Sequence, residues 1–325
     1  MKVVEINGYG AADVLRIANR PIPRPKKEEV LIKVIASGVN RPDIFQRQGL
    51  YNPPNGASDL LGLEVSGEII DGDLSSGEFN IGDKVCALVN GGGYSEYCLA
   101  HISHCLIIPD SVSIEDAAGL PESLFTVWSN VFGIGHLSVG DSLLVHGGSS
   151  GIGVMAVQIA KALGYYVYAT AGTDRKVIAV ESLGAVKCIN YKNEDFVDKI
   201  LELTNMNGVN LVLDMVSGSY LQRNIKILSE NGIISIIALL GGSRSFINCA
   251  DILKKRLRIS GSMLRSQSVA FKANLAKSLI KYVWPLIEKK LVKPVTYAYF
   301  PLDQVSSAHK MMESGEHIGK IILKI

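Results

Sequence analysis

The sequence predicts an α/β chain in which a doubly wound parallel sheet follows a separate, all-β lobe. Three observations predict it. A short apolar run at residues 143–145 breaks at Gly147 and Gly148 and passes into a segment of helical periodicity. From there to residue 239, short β-rich runs alternate with helical ones, which is the pattern of βαβ crossovers. The first 120 residues instead carry strands divided by Pro and Gly, without alternation.

In chain order, residues 29–37, 64–70 and 84–89 read as short strands, separated by Pro21, Pro23, Pro25, Pro53, Pro54 and frequent Gly. Asn90 and the glycines at 91–93 make a loop, and there is no internal repeat. Leu143, Leu144 and Val145 suit a buried parallel strand, and Ile152, Met155, Ile159 and Leu163 recur at helical spacing after it. Further strands are expected at 165–170, 186–189, 209–214 and 233–239, with helices at 175–183, 196–203 and 221–228. Right-handed crossovers then give a parallel sheet covered on both faces. Residue 268 opens a last helix, and 295–300 and 320–325 return to β signals that suit either lobe.

A chain of 325 residues, 47% hydrophobic, can bury two cores. The net charge of +2 provides no field for nucleic acid or an anionic membrane. Residues 1–5 lack a signal-peptide core and no apolar run is long enough to cross a bilayer, so a soluble, cytoplasmic protein is expected. Five cysteines, an odd number spread along the chain, fit reduced thiols.

Chemistry concentrates at the glycine turn. A phosphate needs backbone N–H groups at a helix N-terminus with no side chain in the way, which Gly148, Gly151 and Gly153 with the small Ser149 and Ser150 supply. The spacing departs from G-x-G-x-x-G, since Ser150 stands at the second glycine, and a tight strand-to-helix connection is the competing reading. The alternating strands that follow favour a dinucleotide, bound beyond the strand C-termini. The second strand ends at Thr170, Ala171, Gly172 and Thr173, with no acid before Asp174. Thr173, Arg175, Lys176 and Tyr191 suit a 2′-phosphate, so NADPH is favoured over NADH, with Asp174 as the objection.

One cluster tempts a metal assignment: Cys98, His101, His104 and Cys105. Four ligands on so short an extended segment cannot converge on one tetrahedral centre without a loop, so the two cysteines are read as small apolar strand residues.

Across nearly its full length the chain resembles the quinone oxidoreductase branch of the medium-chain dehydrogenase/reductase superfamily, and within it the tumour-suppressor-inducible quinone oxidoreductase-like proteins. The residues that carry this are 38–43, 46–49, 51–54 and 61–67, then Gly82 to Val85, Pro121 and Glu122 with Thr126, the glycine turn, Asn190 to Lys192, Asp214 to Val216, and Ile318 to Ile321. The resemblance implies a GroES-like catalytic domain at 1–120, a Rossmann NADPH-binding domain at 121–265, and a return segment at 266–325 that completes the first. It implies a cleft whose positions match Asn40, Tyr51, Thr126, Ser150, Gly151, Gly172, Thr173, Lys176 and Tyr191. Gly148, Ser149, Ile152, Val216, Leu240 and Leu264 complete the expected cofactor set. It also implies a homodimer joined at the Rossmann sheet edge.

The resemblance places Asn40 and Leu63 where zinc relatives carry Cys or His, and neither can ligate the ion, so no catalytic metal is expected. Without a Lewis acid a simple ketone has no activator, whereas a quinone or conjugated enone is already electrophilic and needs mainly orientation and a hydrogen bond to its developing oxyanion. Asn40 and Tyr51 are the candidate donors, with stapling of the Pro53–Pro54 loop as the competing role for Tyr51. His146 reads as a satisfied buried histidine, and Asp43 as a cap for the segment after it. Phe45, Leu63, Leu240, Met263 and Leu264 read equally as core or as an apolar wall. The expected function is NADPH-dependent hydride transfer to quinones or other conjugated carbonyls. The alternative is a non-catalytic NADPH-binding or RNA-binding protein of the same fold, against which the near-neutral charge argues.

Overall fold

The structure is a computed structural model that describes residues 1–75 and 77–325. Met1–Phe125 together with Arg265–Ile325 form one unit, and Thr126–Leu264 another.

In the first unit β1 (Lys2–Ile6) pairs antiparallel with β2 (Leu15–Asn19). The organising strand is β3 (Glu29–Val39), whose β-branched residues on alternate positions pack both faces. One side of β3 pairs with β4 (Glu64–Gly72), which in turn pairs with β5 (Lys84–Leu88). The other side is divided: its first half pairs with β6 (Tyr97–His101), while β7 (Cys105–Ile107) extends the sheet beyond β5. Val30, Ile32, Val34, Val65, Ile69 and Val85 form a core that also takes in Cys98 and Cys105, so these thiols lie in hydrocarbon as read from the sequence. Short helices α1 (Arg41–Arg47) and α2 (Ile114–Ala117) follow β3 and β7. Helix α3 (Pro121–Val127) then widens into a π-helical turn at Trp128–Gly133.

The second unit is built as the alternation predicts: β8 (Ser142–Val145), α4 (Gly151–Ala162), β9 (Tyr166–Ala171), α5 (Asp174–Leu183), β10 (Lys187–Asn190), α6 (Phe196–Leu203), β11 (Val209–Asp214), α7 (Tyr220–Ile227), β12 (Leu228–Ile236), α8 (Cys249–Lys255) and β13 (Arg258–Gly261). All six strands are parallel, in the order β10-β9-β8-β11-β12-β13. The order reverses between β8 and β11, which makes the C-terminal ends of these two strands the ligand-binding switch point of a doubly wound sheet. Two boundaries differ from expectation by more than one residue. β12 begins at Leu228, not residue 233, with a register shift against β11, and it stops at Ile236 because β11 ends at its partner Asp214. Residues 237–239 therefore leave the sheet, tethered by the Ile237 N–H on the Asp214 carbonyl at 2.8 Å.

The chain then returns to the first unit through α9 (Val269–Tyr282), capped by Ser268, and α10 (Trp284–Glu288), followed by β14 (Thr296–Pro301), α11 (Val305–Ser314) and β15 (Lys320–Lys324). β15 pairs antiparallel with the second half of β3, and β14 lies parallel outside it. The closing strands thus belong to the first lobe, a choice the β signals alone left open.

Candidate functional site

In the second unit the site begins where β8 ends. Gly147 takes φ +64°, which turns the chain sharply out of the sheet, and the Gly148 N–H bonds back to the Thr170 carbonyl of β9 at 2.9 Å. A Cβ on Gly148 would stand 2.7 Å from the Ala169 methyl group, and one on Gly153 would stand 2.4 Å from the Gly147 carbonyl oxygen. These two glycines therefore let helix and turn approach the strand closely. Ser150 is the N-cap of α4, its hydroxyl accepting the Gly153 N–H at 3.0 Å. The N–H groups of Gly151 and Ile152, in the first turn, have no acceptor among the described residues. Ser149 is buried beside them.

The flanking strand ends complete this surface. Gly172 faces the half-exposed Tyr191, whose hydroxyl would lie 2.6 Å from any Cβ at that position. Thr173 caps α5 by accepting the Lys176 N–H, and the Asp174 carboxylate accepts the Asn190 side-chain amide at 2.7 Å. Beyond β11, Asp214 accepts the N–H groups of Val216 and Ser217 at 2.8 and 2.9 Å. The Leu240 and Gly241 N–H groups bond to the carbonyls of Met215 and Val216, which seats the 239–241 loop over that strand end with the Leu240 side chain half exposed. Leu264 is partly buried at the end of the unit and Met263 is exposed. Thr126 is buried in α3, its carbonyl accepting the Asn130 amide.

His146 has no solvent exposure. Asn224 gives its amide N–H to Asp214 Oδ2, so its oxygen faces His146 and requires the Nε2–H tautomer, leaving Nδ1 to accept from Thr170. Burial lowers its pKa, and the ring joins β8, β9, β11 and α7. It acts as the satisfied structural histidine that its position suggested.

In the first unit the sequence reading is overtaken by charge. Glu64, wholly buried on β4, meets the Lys320 ammonium of β15 at 2.5 Å. Asn40 lies between them: its Nδ2 donates to Glu64 Oε1 at 2.8 Å and to the Gly38 carbonyl at 3.3 Å, and its Oδ1 accepts from Lys320 at 2.6 Å. Both amide hydrogens of Asn40 are committed. Asn40 therefore is not a spare donor for a developing oxyanion, which corrects the expectation placed on it. A Cβ at Gly38 would lie 2.0 Å from Glu64 Oε1, so that glycine makes room for the carboxylate.

Asp43 is also buried, accepting the N–H groups of Asn40 and Gly62 at 2.8 and 3.0 Å and the Tyr94 hydroxyl at 3.1 Å. Burial outweighs these donors and raises its carboxyl to about 6. It fastens the start of α1, as a cap would. Leu63 is a core residue and Phe45 is partly exposed.

Tyr51 is half buried, with the Arg265 guanidinium carbon 5.5 Å from its ring centre. Its hydroxyl has no hydrogen-bond partner among the described residues, so the phenol is an available donor and does not staple the loop by a bond of its own. Burial, then Glu122, push its pKa up, keeping it protonated at neutral pH. Arg265 donates to the Asn90 carbonyl and Gln46 Oε1, and Lys272 donates to Asn90 Oδ1 and the Arg265 carbonyl.

Sequence reasoning gave no role in the site to Glu64, Lys320, Glu122, Arg265 or Lys272. Two left a signal: Glu64 and Lys320 each adjoin an apolar strand run that has no reason to tolerate a charge unless the pair is satisfied. Cys98, His101, His104 and Cys105 do not assemble: the two thiols donate to carbonyls, His101 Nδ1 binds Ser103, and His104 faces the Val269 carbonyl. Among the described residues no group of three His, Cys, Asp or Glu is arranged to hold a metal ion, and no helix is long and apolar enough to cross a membrane.

Comparison with known proteins places these features in context. Residues 26–110 match the alcohol dehydrogenase GroES-like domain, and residues 151–279 match the zinc-binding dehydrogenase family. Quinone oxidoreductase of Rattus norvegicus is 30% identical over 99% of this chain and 97% of its own length. Among solved structures, quinone oxidoreductase of Escherichia coli complexed with NADPH is 25% identical, with a TM-score of 0.88 and complete coverage of both chains. A mycobacterial protein complexed with NADPH is also 25% identical, with a TM-score of 0.90 and complete coverage of both.

Proposed function

The chain belongs to the medium-chain dehydrogenase/reductase superfamily and groups with its quinone oxidoreductases, and from that premise we propose that it is an NADPH-dependent reductase of quinones or other conjugated carbonyls, working without a metal. The observation that carries this is the turn from β8 to α4: a strand end, two glycines whose Cβ positions are already filled by the protein, and open first-turn N–H groups at the switch point of a six-stranded parallel sheet. That cradle fits a pyrophosphate.

The proposed cofactor contacts are Gly148, Ser149, Ser150, Gly151 and Ile152 at the phosphates, with Val216, Leu240 and the Gly172 edge beside them. Thr126, Asn40 and Leu264 complete the proposed set. Preference for the 2′-phosphate rests on Thr173, Lys176 and Tyr191 at the end of β9 and β10. The Asp174 carboxylate, which stood as the objection, has one oxygen engaged by Asn190.

NADPH, when bound, supplies the hydride. The chain's own task is then to hold a flat acceptor and stabilise the negative charge that develops on its oxygen. Tyr51 is the proposed donor, because its phenol is protonated and unspent whereas the Asn40 amide is not. The metal-free reading rests on Leu63, an apolar core residue, and on Asn40, whose amide is tied to Glu64 and Lys320. We also read the chain as a homodimer: among the described residues β13 has a partner on only one side, and Ile259 on it is exposed.

Calorimetric titration with NADPH and NADH, followed by steady-state oxidation with ortho- and para-quinones and an enone, tests the proposal. Binding of neither nucleotide, or tight NADPH binding with no acceptor turned over, would overturn it.

A further inference from the structure

Four Lys or Arg side chains are buried among the described residues, all in the first unit: Arg47, Arg265, Lys272 and Lys320. Two of them meet an acid, Arg47 at Glu313 and Lys320 at Glu64, each at 2.5 Å. Arg265 and Lys272 bond only to neutral oxygens.

The Arg265 guanidinium is fixed from two segments. Its Nε and Nη2 both donate to the Asn90 carbonyl, at 3.0 and 2.7 Å, and Nη1 donates to Gln46 Oε1 on α1 at 2.8 Å. Asn90 is held in turn, its Oδ1 accepting from Lys272 Nζ at 2.7 Å, while the same ammonium donates to the Arg265 carbonyl at 2.9 Å. Gly91 leaves the group room, since a Cβ there would stand 3.3 Å from Nη2 and 2.8 Å from the Ser58 carbonyl oxygen. Gln46 gives its Nε2–H to the Asp59 carbonyl at 2.9 Å, and Arg20 binds the Asp59 carboxylate through two hydrogen bonds, so the far end of the segment that carries Tyr51 is tied down. The guanidinium carbon then lies over the Tyr51 ring, 5.5 Å from its centre. No hydrogen bond fixes the phenol itself among the described residues.

A staple between Asn90 and Gln46 needs donors, not a charge. A neutral amide would provide them, whereas a buried cation without an acid carries a desolvation cost that neutral acceptors only partly offset. The charge has an effect where the guanidinium faces the ring. There the π face attracts the cation, which steadies the ring, and the positive field makes the phenol O–H a stronger hydrogen-bond donor.

We infer that Arg265 is the positioning residue of Tyr51: its guanidinium, fixed by Asn90 and Gln46, holds the phenol ring and strengthens the hydrogen bond that the hydroxyl gives to the acceptor's developing oxyanion. This rests on the reductase reading above, in which Tyr51 is that donor. Arg265 acts through Tyr51 and transfers no proton, and Lys272 keeps Asn90 in the orientation that Arg265 needs. The charges around the phenol agree. Burial pushes the Tyr51 pKa up, Glu122 on α3 and Asp43 on α1 add to that, and Arg265 acts the other way.

The test compares Arg265→Gln in two backgrounds of the full-length protein, wild type and Tyr51→Phe, by steady-state kcat with NADPH and a quinone. Arg265→Gln should lower kcat about tenfold in the wild-type background and less than about twofold in the Tyr51→Phe background. A residue needed only for folding would cost the same in both. Gln46→Met, which keeps both cations and removes only the Nη1 acceptor, should lower kcat about threefold with the same dependence on Tyr51, and it carries the comparison if Arg265→Gln does not fold. A second readout needs neither nucleotide nor acceptor: 3,5-difluorotyrosine incorporated at position 51 reports its own ionisation by fluorine NMR, and its midpoint should rise by about one pH unit in Arg265→Gln. In an active wild type, an equal loss in both backgrounds or an unmoved fluorine midpoint overturns the role of Arg265 and leaves the reductase reading standing. A wild type inert towards every acceptor overturns the reductase reading and this role with it.

Discussion

Replacing Lys320 by Met tests whether the charge network under Asn40 holds the first unit together. Lys320 and Glu64 have side-chain exposures of 5% and 0%, so removing the ammonium strands a carboxylate out of reach of water. Breaking a buried pair in this way costs about 3–5 kcal/mol. Glu64 keeps donors from Asn40 Nδ2 and the Glu122 N–H, each at 2.8 Å, which places the expected loss near the lower end, about 3 kcal/mol. For a unit of this size that corresponds to a fall in Tm of roughly 6–12 °C. Glu64→Gln should cost a similar amount, since it removes the counter-charge and leaves the ammonium among neutral oxygens such as Asn40 Oδ1 and the Val39 carbonyl. The double variant Lys320→Met/Glu64→Gln should lose much less than the sum, with a coupling of about 2 kcal/mol. Differential scanning calorimetry, which can separate the transitions of two units, reads all three. Single variants within about 0.5 kcal/mol of wild type, or a strictly additive double variant, would refute the reasoning.

Three further outcomes bear on the proposed reaction. Ser150→Val removes the α4 cap and crowds the phosphate cradle, and should weaken NADPH at least about tenfold by calorimetry, with unchanged affinity refuting the placement. Lys176→Ala should weaken NADPH more than NADH, and an equal loss for both would remove it as a 2′-phosphate ligand. Tyr51→Phe should lower kcat by about 10² with little change in NADPH affinity, and a silent substitution would show that the phenol stabilises nothing in the reaction.

The second unit was legible because its information is local. A buried parallel strand reads as an apolar run, its helix as a 3.6-residue pattern, and the glycine turn between them as a break, so strands such as 209–214 were found within a residue or two. The same logic failed at the 233–239 run, where the end of β12 is dictated by the length of its neighbour β11 and not by its own residues. It also left 295–300 and 320–325 without a home, since a strand's hydrophobicity does not name its partner.

What the sequence by itself determined is the α/β class, the order of crossovers and the glycine cradle, together with the absence of Cys or His at positions 40 and 63. What only the tertiary structure decided is the state of the charged groups. Lys320 and Glu64 are 256 positions apart in the chain, yet they meet at 2.5 Å around Asn40, which accepts from Lys320 and gives its two amide hydrogens to Glu64 and the Gly38 carbonyl, and Arg265 approaches Tyr51 from a return segment. Hydrophobic periodicity acts between near neighbours in sequence, whereas hydrogen-bond saturation and the ionisation of a buried carboxyl depend on which distant groups the fold brings within reach.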